Sequence, residues 1–356
     1  MELHNAIARW ESEGGAIPQV QRSRKRGSEQ VKPLTIRRIL VPIDFSRESL
    51  KALRFAKRLV ERFKAKLHMV HVVTPPLALF PQPRQVLPPN VTEEMVGNAI
   101  DRFEKVVRDF SLPLRHRHYT VRIGAVAQEI NEVARITRTD FIAIATRGYS
   151  GLKRAFLGST TESVVRNAPC PVLVVREKNG STRPRGRRGS LQFRKILVPL
   201  DFSEASRLGL EYALSFAEQF RATVVLFHSI SVSAYVMGNR YTAHHVPTLI
   251  ANQQEYARRE MEELREAILR KAGLAEIKIA VGSAVEQIGK YVRKAGVDLI
   301  ITSTHGRTGL RRVFIGSTAE RLVRHATCPV LVVPNRAAGK RMGANWAADH
   351  QFPQRN

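Results

Sequence analysis

Two nonapeptides 157 residues apart constrain this chain more than any other feature. Residues 38–46 read Arg-Ile-Leu-Val-Pro-Ile-Asp-Phe-Ser, and residues 195–203 read Lys-Ile-Leu-Val-Pro-Leu-Asp-Phe-Ser. The correspondence continues downstream: Gly158-Ser159-Thr160 recurs as Gly316-Ser317-Thr318 and Cys170-Pro171 as Cys328-Pro329, now at an offset of 158. A nearly constant offset over a whole domain marks a duplication, so both halves must fold alike. The expected organisation is a basic tail over residues 1–35, a first domain over 36–176, a Gly/Arg-rich linker over 177–192, a second domain over 193–334 and a tail over 335–356.

Within each half, short apolar runs alternate with amphipathic stretches. In the first half strands are expected at 39–43, 67–73, 119–123, 141–145 and 171–175, with helices at 47–63, 92–110, 126–137 and 159–167. The stretch 47–63 places Leu50, Leu53, Ala56, Leu59 and Val60 on one helical face. The second half repeats the series, with strands at 196–200, 223–228, 277–281, 299–302 and 329–333 and helices at 205–220, 250–271, 285–294 and 317–325. Near-continuous apolar strands alternating with helices predict an α/β fold of two tandem doubly wound parallel five-stranded sheets, covered on both faces. Such sheets bind ligands at the carboxyl ends of their strands, beside the point where strand order reverses. The segments after the first and fourth strands are therefore the places to look. The proline-rich stretch 74–90 and its counterpart 229–248 follow the second strand and read as a variable lid or a tolerated insertion.

The loops after the fourth strands carry Gly148, Gly158 and Ser159 in the first half and Gly306, Gly316 and Ser317 in the second. Glycines let backbone N–H groups approach an anion closely. Each Gly-Ser pair then opens a helix, whose free N–H groups and positive dipole end suit a phosphate. Lys153, Arg154, Arg311 and Arg312 add positive charge nearby. The bland alternative for each pair is an ordinary helix capped by its serine, and for Asp44 and Asp201 a cap or turn. His68, His71 and His228 read as structural histidines, whereas His305 lies in the glycine loop, where it could meet a phosphate or pack the loop. No Walker A sequence, no Gly-x-Ser-x-Gly elbow and no His/Cys metal spacing occurs. Cys170 and Cys328 occupy equivalent places in the two cores, which favours buried thiols over a disulfide.

The combination of Val-Pro-x-Asp-Phe-Ser, a Gly-x2-Gly-x9-Gly-Ser-like loop and Cys-Pro-Val-Leu-Val-Val closely resembles the universal stress protein family, in tandem form, over residues 36–176 and 193–334. The resemblance implies a Rossmann-like domain of the adenine nucleotide alpha hydrolase-like kind. In the ATP-binding branch it implies an aspartate on the nucleoside, backbone near the end of the second strand on adenine, and the glycine loop around ribose and phosphates. Carried over, the first-half residues are Pro42, Asp44, Val72, Ala145, Gly148, Gly158, Ser159 and Thr160. Those of the second half are Pro199, Asp201, Ser229, Ser303, His305, Gly306, Gly316, Ser317 and Thr318. The first glycine of the family loop is replaced by Ala145 and by Ser303, so a backbone needing positive φ there would be strained.

These readings lead to an ATP-binding regulatory protein of the stress response with little or no hydrolysis, any Mg²⁺ or Mn²⁺ being held mainly through the phosphates. The rivals are a slow ATPase or autophosphorylating protein using Ser159 or Ser317, and a nucleotide-independent scaffold. The scaffold reading draws on the net charge of +27, about half of which lies in residues 1–38, 176–195 and 334–356. Such segments can hold nucleic acid or an anionic surface through counterion release. No run approaches the roughly 18 apolar residues of a membrane span, and the first residues lack the apolar core of a signal peptide. A cytoplasmic protein is expected. The last strands, 171–175 and 329–333, are apolar and would be poor bare edges, which favours a pseudo-dimer within the chain and leaves a further homodimer open.

Overall fold

Strands whose side chains are apolar on both faces cannot lie on a surface, and the fold follows from burying them. The computed structural model describes residues 36–74, 91–113, 118–146, 157–176, 191–231, 246–272, 274–304 and 316–334. The first half runs β1 (Arg38–Pro42), α1 (Arg47–Phe63), β2 (Lys66–Val73), α2 (Val91–Asp109), β3 (His118–Ile123), α3 (Val126–Ile136), β4 (Phe141–Ala145), α4 (Ser159–Asn167) and β5 (Val172–Val175). The second runs β6 (Lys195–Pro199), α5 (Glu204–Phe220), β7 (Thr223–Ile230), α6 (Val246–Ala272), β8 (Ala275–Val281), α7 (Ala284–Ala295), β9 (Leu299–Ser303), α8 (Ser317–His325) and β10 (Val330–Val333). The elements expected from periodicity are all present, with ends shifted by a few residues.

The strand order is β3-β2-β1-β4-β5-β10-β9-β6-β7-β8, a single ten-stranded sheet. Each half is a parallel five-stranded array that reverses direction of winding between its first and fourth strands. Ile39 pairs with Phe141 there, and Ile196 with Leu299 in the second half. The halves are joined by β5 and β10, which pair antiparallel with Leu173 opposite Leu331. Both joining strands are buried along their whole length. The outer edges fall instead on β3 and β8, which carry Arg122 and Lys278 and are partly exposed, as an unpaired edge requires.

Alternation along the strands builds two core layers. Ile39 and Val41 face the layer under α1, α2, α5 and α6, while Leu40, Ile142 and Ile144 face the layer under α3, α4, α7 and α8. The first layer crosses between the halves: the Phe63 ring meets Phe216 edge-on at 5.7 Å and Phe220 at 5.8 Å, and Phe55 approaches Phe193 at 6.3 Å. Leu191, in the segment read as linker, is buried in this same layer. On the opposite face the Arg324 guanidinium of α8 pairs with Glu162 of α4 at 3.3 Å. Cys170 and Cys328 are buried thiols outside any disulfide, and burial pushes the Cys328 thiol up to about 12. Among the described residues no helix is long and apolar enough to cross a membrane.

Candidate functional site

The reversal points place β1 beside β4 and β6 beside β9; within each half the chain leaves both strands into loops at one end of the sheet, and because β5 and β10 pair antiparallel the loops of the two halves lie at opposite ends. In the β1–α1 loop, Asp44 accepts the Ser46 N–H at 2.9 Å, and Ser46 in turn caps α1 by accepting the Ser49 N–H at 3.2 Å. The second half repeats this: Asp201 accepts both the N–H of Ser203 at 3.1 Å and its hydroxyl at 2.5 Å, and Ser203 caps α5 through the Ser206 N–H. The cap-and-turn role expected as the bland reading of Asp44 and Asp201 is thus present in both copies.

Between each aspartate and serine sits a phenylalanine in the left-handed region, Phe45 at φ 58° and Phe202 at φ 63°. A bulky side chain is rarely found there and the conformation costs about 1–3 kcal/mol. What over-determines it is a histidine on the neighbouring strand. His71 Nδ1 donates to the Ile43 carbonyl at 2.7 Å with its ring 4.8 Å from Phe45, and His228 Nδ1 donates to Leu200 at 2.7 Å with its ring 4.7 Å from Phe202. A carbonyl only accepts, so Nδ1 carries the proton in both rings. Burial lowers the pKa of His71, against a smaller opposing effect of its bond to Ile43. Histidines read from sequence as structural are structural, but their work is to hold the aspartate-bearing loop.

Below that loop the second half contains a cavity of about 270 Å³, close to the lower end of small-ligand pockets at about 300 Å³. Pro199 and Asp201 reach it from the end of β6, Ser229 from β7, Ser303 from β9, and Gly316, Ser317 and Thr318 from the start of α8. Every second-half residue singled out from sequence as a nucleotide contact therefore borders this cavity except His305 and Gly306, which lie outside the described residues, as do the basic Arg311 and Arg312 and, in the first half, Gly148, Lys153 and Arg154. Their first-half counterparts occupy equivalent positions: Pro42 ends β1, Val72 lies in β2, Ala145 ends β4, Gly158 caps α4, and Ser159 and Thr160 open it. Sequence reasoning missed His228, Thr302, Ala284 and Ile288 as wall residues. The last two come from α7, whose approach depends on packing between elements distant in sequence.

Two sequence-level concerns are resolved by backbone geometry. Neither Ala145 nor Ser303 has a positive φ; each is simply the last residue of its strand, so a side chain there imposes no strain. The serines of the Gly-Ser pairs are not the helix caps. Gly158 and Gly316 are the N-caps, and neither helix has a side-chain cap hydrogen bond. The first helical bond of α8 runs from Glu320 N–H to the Gly316 carbonyl. The N–H groups of Ser317, Thr318 and Ala319 precede it, and all three residues border the cavity. The stem of the loop is closed by Gly316 N–H to Thr304 at 2.6 Å, and by Gly158 N–H to Thr146 at 3.0 Å in the first half. The cavity is bordered both by the backbone donors of a helix start and by a carboxylate-bearing loop, a lining suited to an anionic ligand with a polar body. Among the described residues no three His, Cys, Asp or Glu side chains converge as a metal site.

Comparison with known proteins agrees with the fold. The family model described as "Universal stress protein family" matches residues 35–176 and again 192–334. A universal stress protein of Mycolicibacterium smegmatis is 26% identical, spanning 84% of this chain and 97% of that protein. One from Methanocaldococcus jannaschii is 30% identical over 41% of this chain and 85% of its own length. The crystal structure of a universal stress protein from Archaeoglobus fulgidus superposes with a TM-score of 0.58 at 19% identity, covering 84% of this chain and 98% of that one.

Proposed function

The chain belongs to the universal stress protein family, and on that premise we propose that it binds an adenine nucleotide, ATP in the first instance. The nucleotide acts as the switch of a regulatory module in the stress response, with little or no hydrolysis. In this reading Asp44 and Asp201 meet the nucleoside, and the backbone around Val72 and Ser229 meets the base. Gly158-Ser159-Thr160 and Gly316-Ser317-Thr318 hold the phosphates, which carry Mg²⁺ or Mn²⁺ with them.

The observation that carries this reading is the glycine-capped start of α8 on the wall of the second-half cavity, facing a space that Asp201 also lines. A serine cap would satisfy one of the first N–H groups from within the chain; a glycine cap leaves that to a ligand. Weak hydrolysis follows from where the two titratable wall groups are tied. Asp201 holds Ser203 and His228 holds Leu200, so both serve the loop rather than an attacking water.

The test is the melting temperature of the full chain with ATP, ADP, AMP and cyclic AMP, alone and in Gly158→Val and Gly316→Val variants. ATP at a hundredfold excess over its Kd should stabilise the fold by about 2.7 kcal/mol per occupied site; each single variant should lose the share of its own half, and the chain carrying both substitutions should lose the shift. No shift with any nucleotide would retire the proposal. Turnover of labelled ATP that disappears in the variants would make the protein an enzyme instead.

A further inference from the structure

The two halves share a backbone frame at the end of the second strand but differ in the side chain set there. The Gly124 N–H donates to the Val73 carbonyl at 3.0 Å, and the Gly282 N–H donates to the Ile230 carbonyl at 2.8 Å. The turns before α3 and α7 are thus pinned alike to β2 and β7. One residue before each acceptor stands Val72 in the first half and Ser229 in the second. The Ser229 hydroxyl donates to the Gly282 carbonyl at 2.7 Å, a bond that valine cannot make.

That bond fixes what Ser229 can offer a ligand. A hydroxyl carries one proton and two lone pairs; with its proton directed at Gly282, the Ser229 Oγ presents acceptors only. Side chains two apart on a strand share a face, which sets Ser229 on the face of Phe227, and both residues border the cavity under the Asp201 loop. Ala284, the first residue of α7, borders the same space. Ser229 and Ala284 are both partly exposed, so a ligand in the cavity reaches them. Their first-half counterparts are Val72 and Val126. The second half therefore exchanges two valines for a smaller pair that carries one oriented acceptor.

We propose that the Ser229 side chain selects the base in the second-half site: its Oγ accepts a hydrogen bond from an exocyclic amino group on the purine. The proposal rests on the nucleotide reading above, in which the base lies at the end of β7. An amino-substituted purine supplies the donor that the committed hydroxyl requires. An oxo-substituted purine instead sets an oxygen against Oγ, lone pair to lone pair, and leaves the serine acceptor unmatched in a partly buried place. Val72 offers the first half no such acceptor, so this contact belongs to the second half alone. Selection by a polar side chain of this kind acts through the penalty on the wrong ligand as much as through the bond to the right one.

The test is calorimetric titration of the full chain carrying Gly158→Val, which blocks the first-half loop, with three nucleotides. These are ATP, purine riboside triphosphate, which has hydrogen in place of the amino group, and inosine triphosphate, which has an oxo group. ATP should bind about two- to tenfold more tightly than the purine analogue, the worth of one hydrogen bond between neutral groups, and inosine triphosphate should bind more weakly than either. Ser229→Val restores the first-half residue and should erase the difference between ATP and the purine analogue. Ser229→Thr keeps the hydroxyl and should retain it. A preference for ATP that survives Ser229→Val would assign selection to the main chain and overturn the proposal, as would equal binding of all three nucleotides by the Ser229 chain. Binding of none of them would retire the nucleotide reading itself, and this proposal with it.

Discussion

His228 and Leu200 are joined by a hydrogen bond of 2.7 Å from an imidazole Nδ1 to a main-chain carbonyl, and His71 and Ile43 repeat it in the other half at the same length. Each bond spans 28 residues of sequence and ties the second strand of a half to the loop that carries its aspartate. Replacing His228 by Ala should therefore cost about 1–3 kcal/mol, the penalty of leaving a partly buried carbonyl unpaired. His228→Asn keeps a donor near the Nδ1 position and should recover part of that loss. Urea unfolding of the two variants checks the difference; equal destabilisation would mean that ring packing on Phe202 dominates.

Two of the contacts that cross between the halves predict unequal effects. Phe216 is buried at 2% exposure and meets Phe63, Phe193 and Phe220. Phe216→Ala should cost about 3–5 kcal/mol. The Arg324–Glu162 pair has both side chains about a quarter exposed, so Arg324→Ala should change stability by at most about 1 kcal/mol. Thermal unfolding of both variants measures the ratio.

The pH dependence has two opposed contributions. Burial, reinforced by Glu204, pushes Glu211 up to about 7 from its ordinary 4.5. Between those values the folded chain binds the extra proton, so this group's stabilisation is complete below pH 4.5 and is lost as pH rises through 7. Burial lowers His68 and His71 below 6.5, with His118 adding to the first and Arg102 to the second. The unfolded chain then binds the extra protons, and stability falls as pH drops below 6.5. Glu211→Gln removes the first effect alone. Its melting temperature should match the parent near pH 5 and exceed it at pH 8, as read by a melting series across that range.

Gly124 and Gly282 hold equivalent turns before α3 and α7 at φ 146° and 121°. At Gly282 a Cβ would also stand 3.1 Å from the Gln287 amide, and the Gly282 carbonyl accepts the Ser229 hydroxyl at 2.7 Å. Gly282→Ala should destabilise by about 1–3 kcal/mol and shift Ser229 on the cavity wall. Denaturant unfolding gives the first quantity, and the ATP-dependent melting shift of the same variant reports the second.

Much of this protein is written in local sequence. The repeat, the alternation of strand and helix and the location of the carboxyl-end loops follow from periodicity and from a constant offset, because both depend only on residues near one another in the chain. The candidate wall residues Asp201, Ser229, Ser303 and Gly316 come from the family resemblance that the local motifs carry. Other features depend on groups brought together from afar. The Val-Leu-Val-Val segments of β5 and β10 announce buried strands, but only tertiary pairing makes them antiparallel neighbours and fuses two five-stranded arrays into one sheet of ten. A Gly-Ser pair reads equally as a serine cap or a glycine cap until the helix start is fixed in space, and here it is the glycine. Left-handed Phe45 and Phe202 carry no local signal at all, since the histidines that hold them arrive from another strand. Sequence alone determined the duplication and the alternation of strand and helix; the pairing across the halves, the strained loops and the walls of the cavities were decided by packing, because they are set by contacts whose free energy exists only once the sheet has formed.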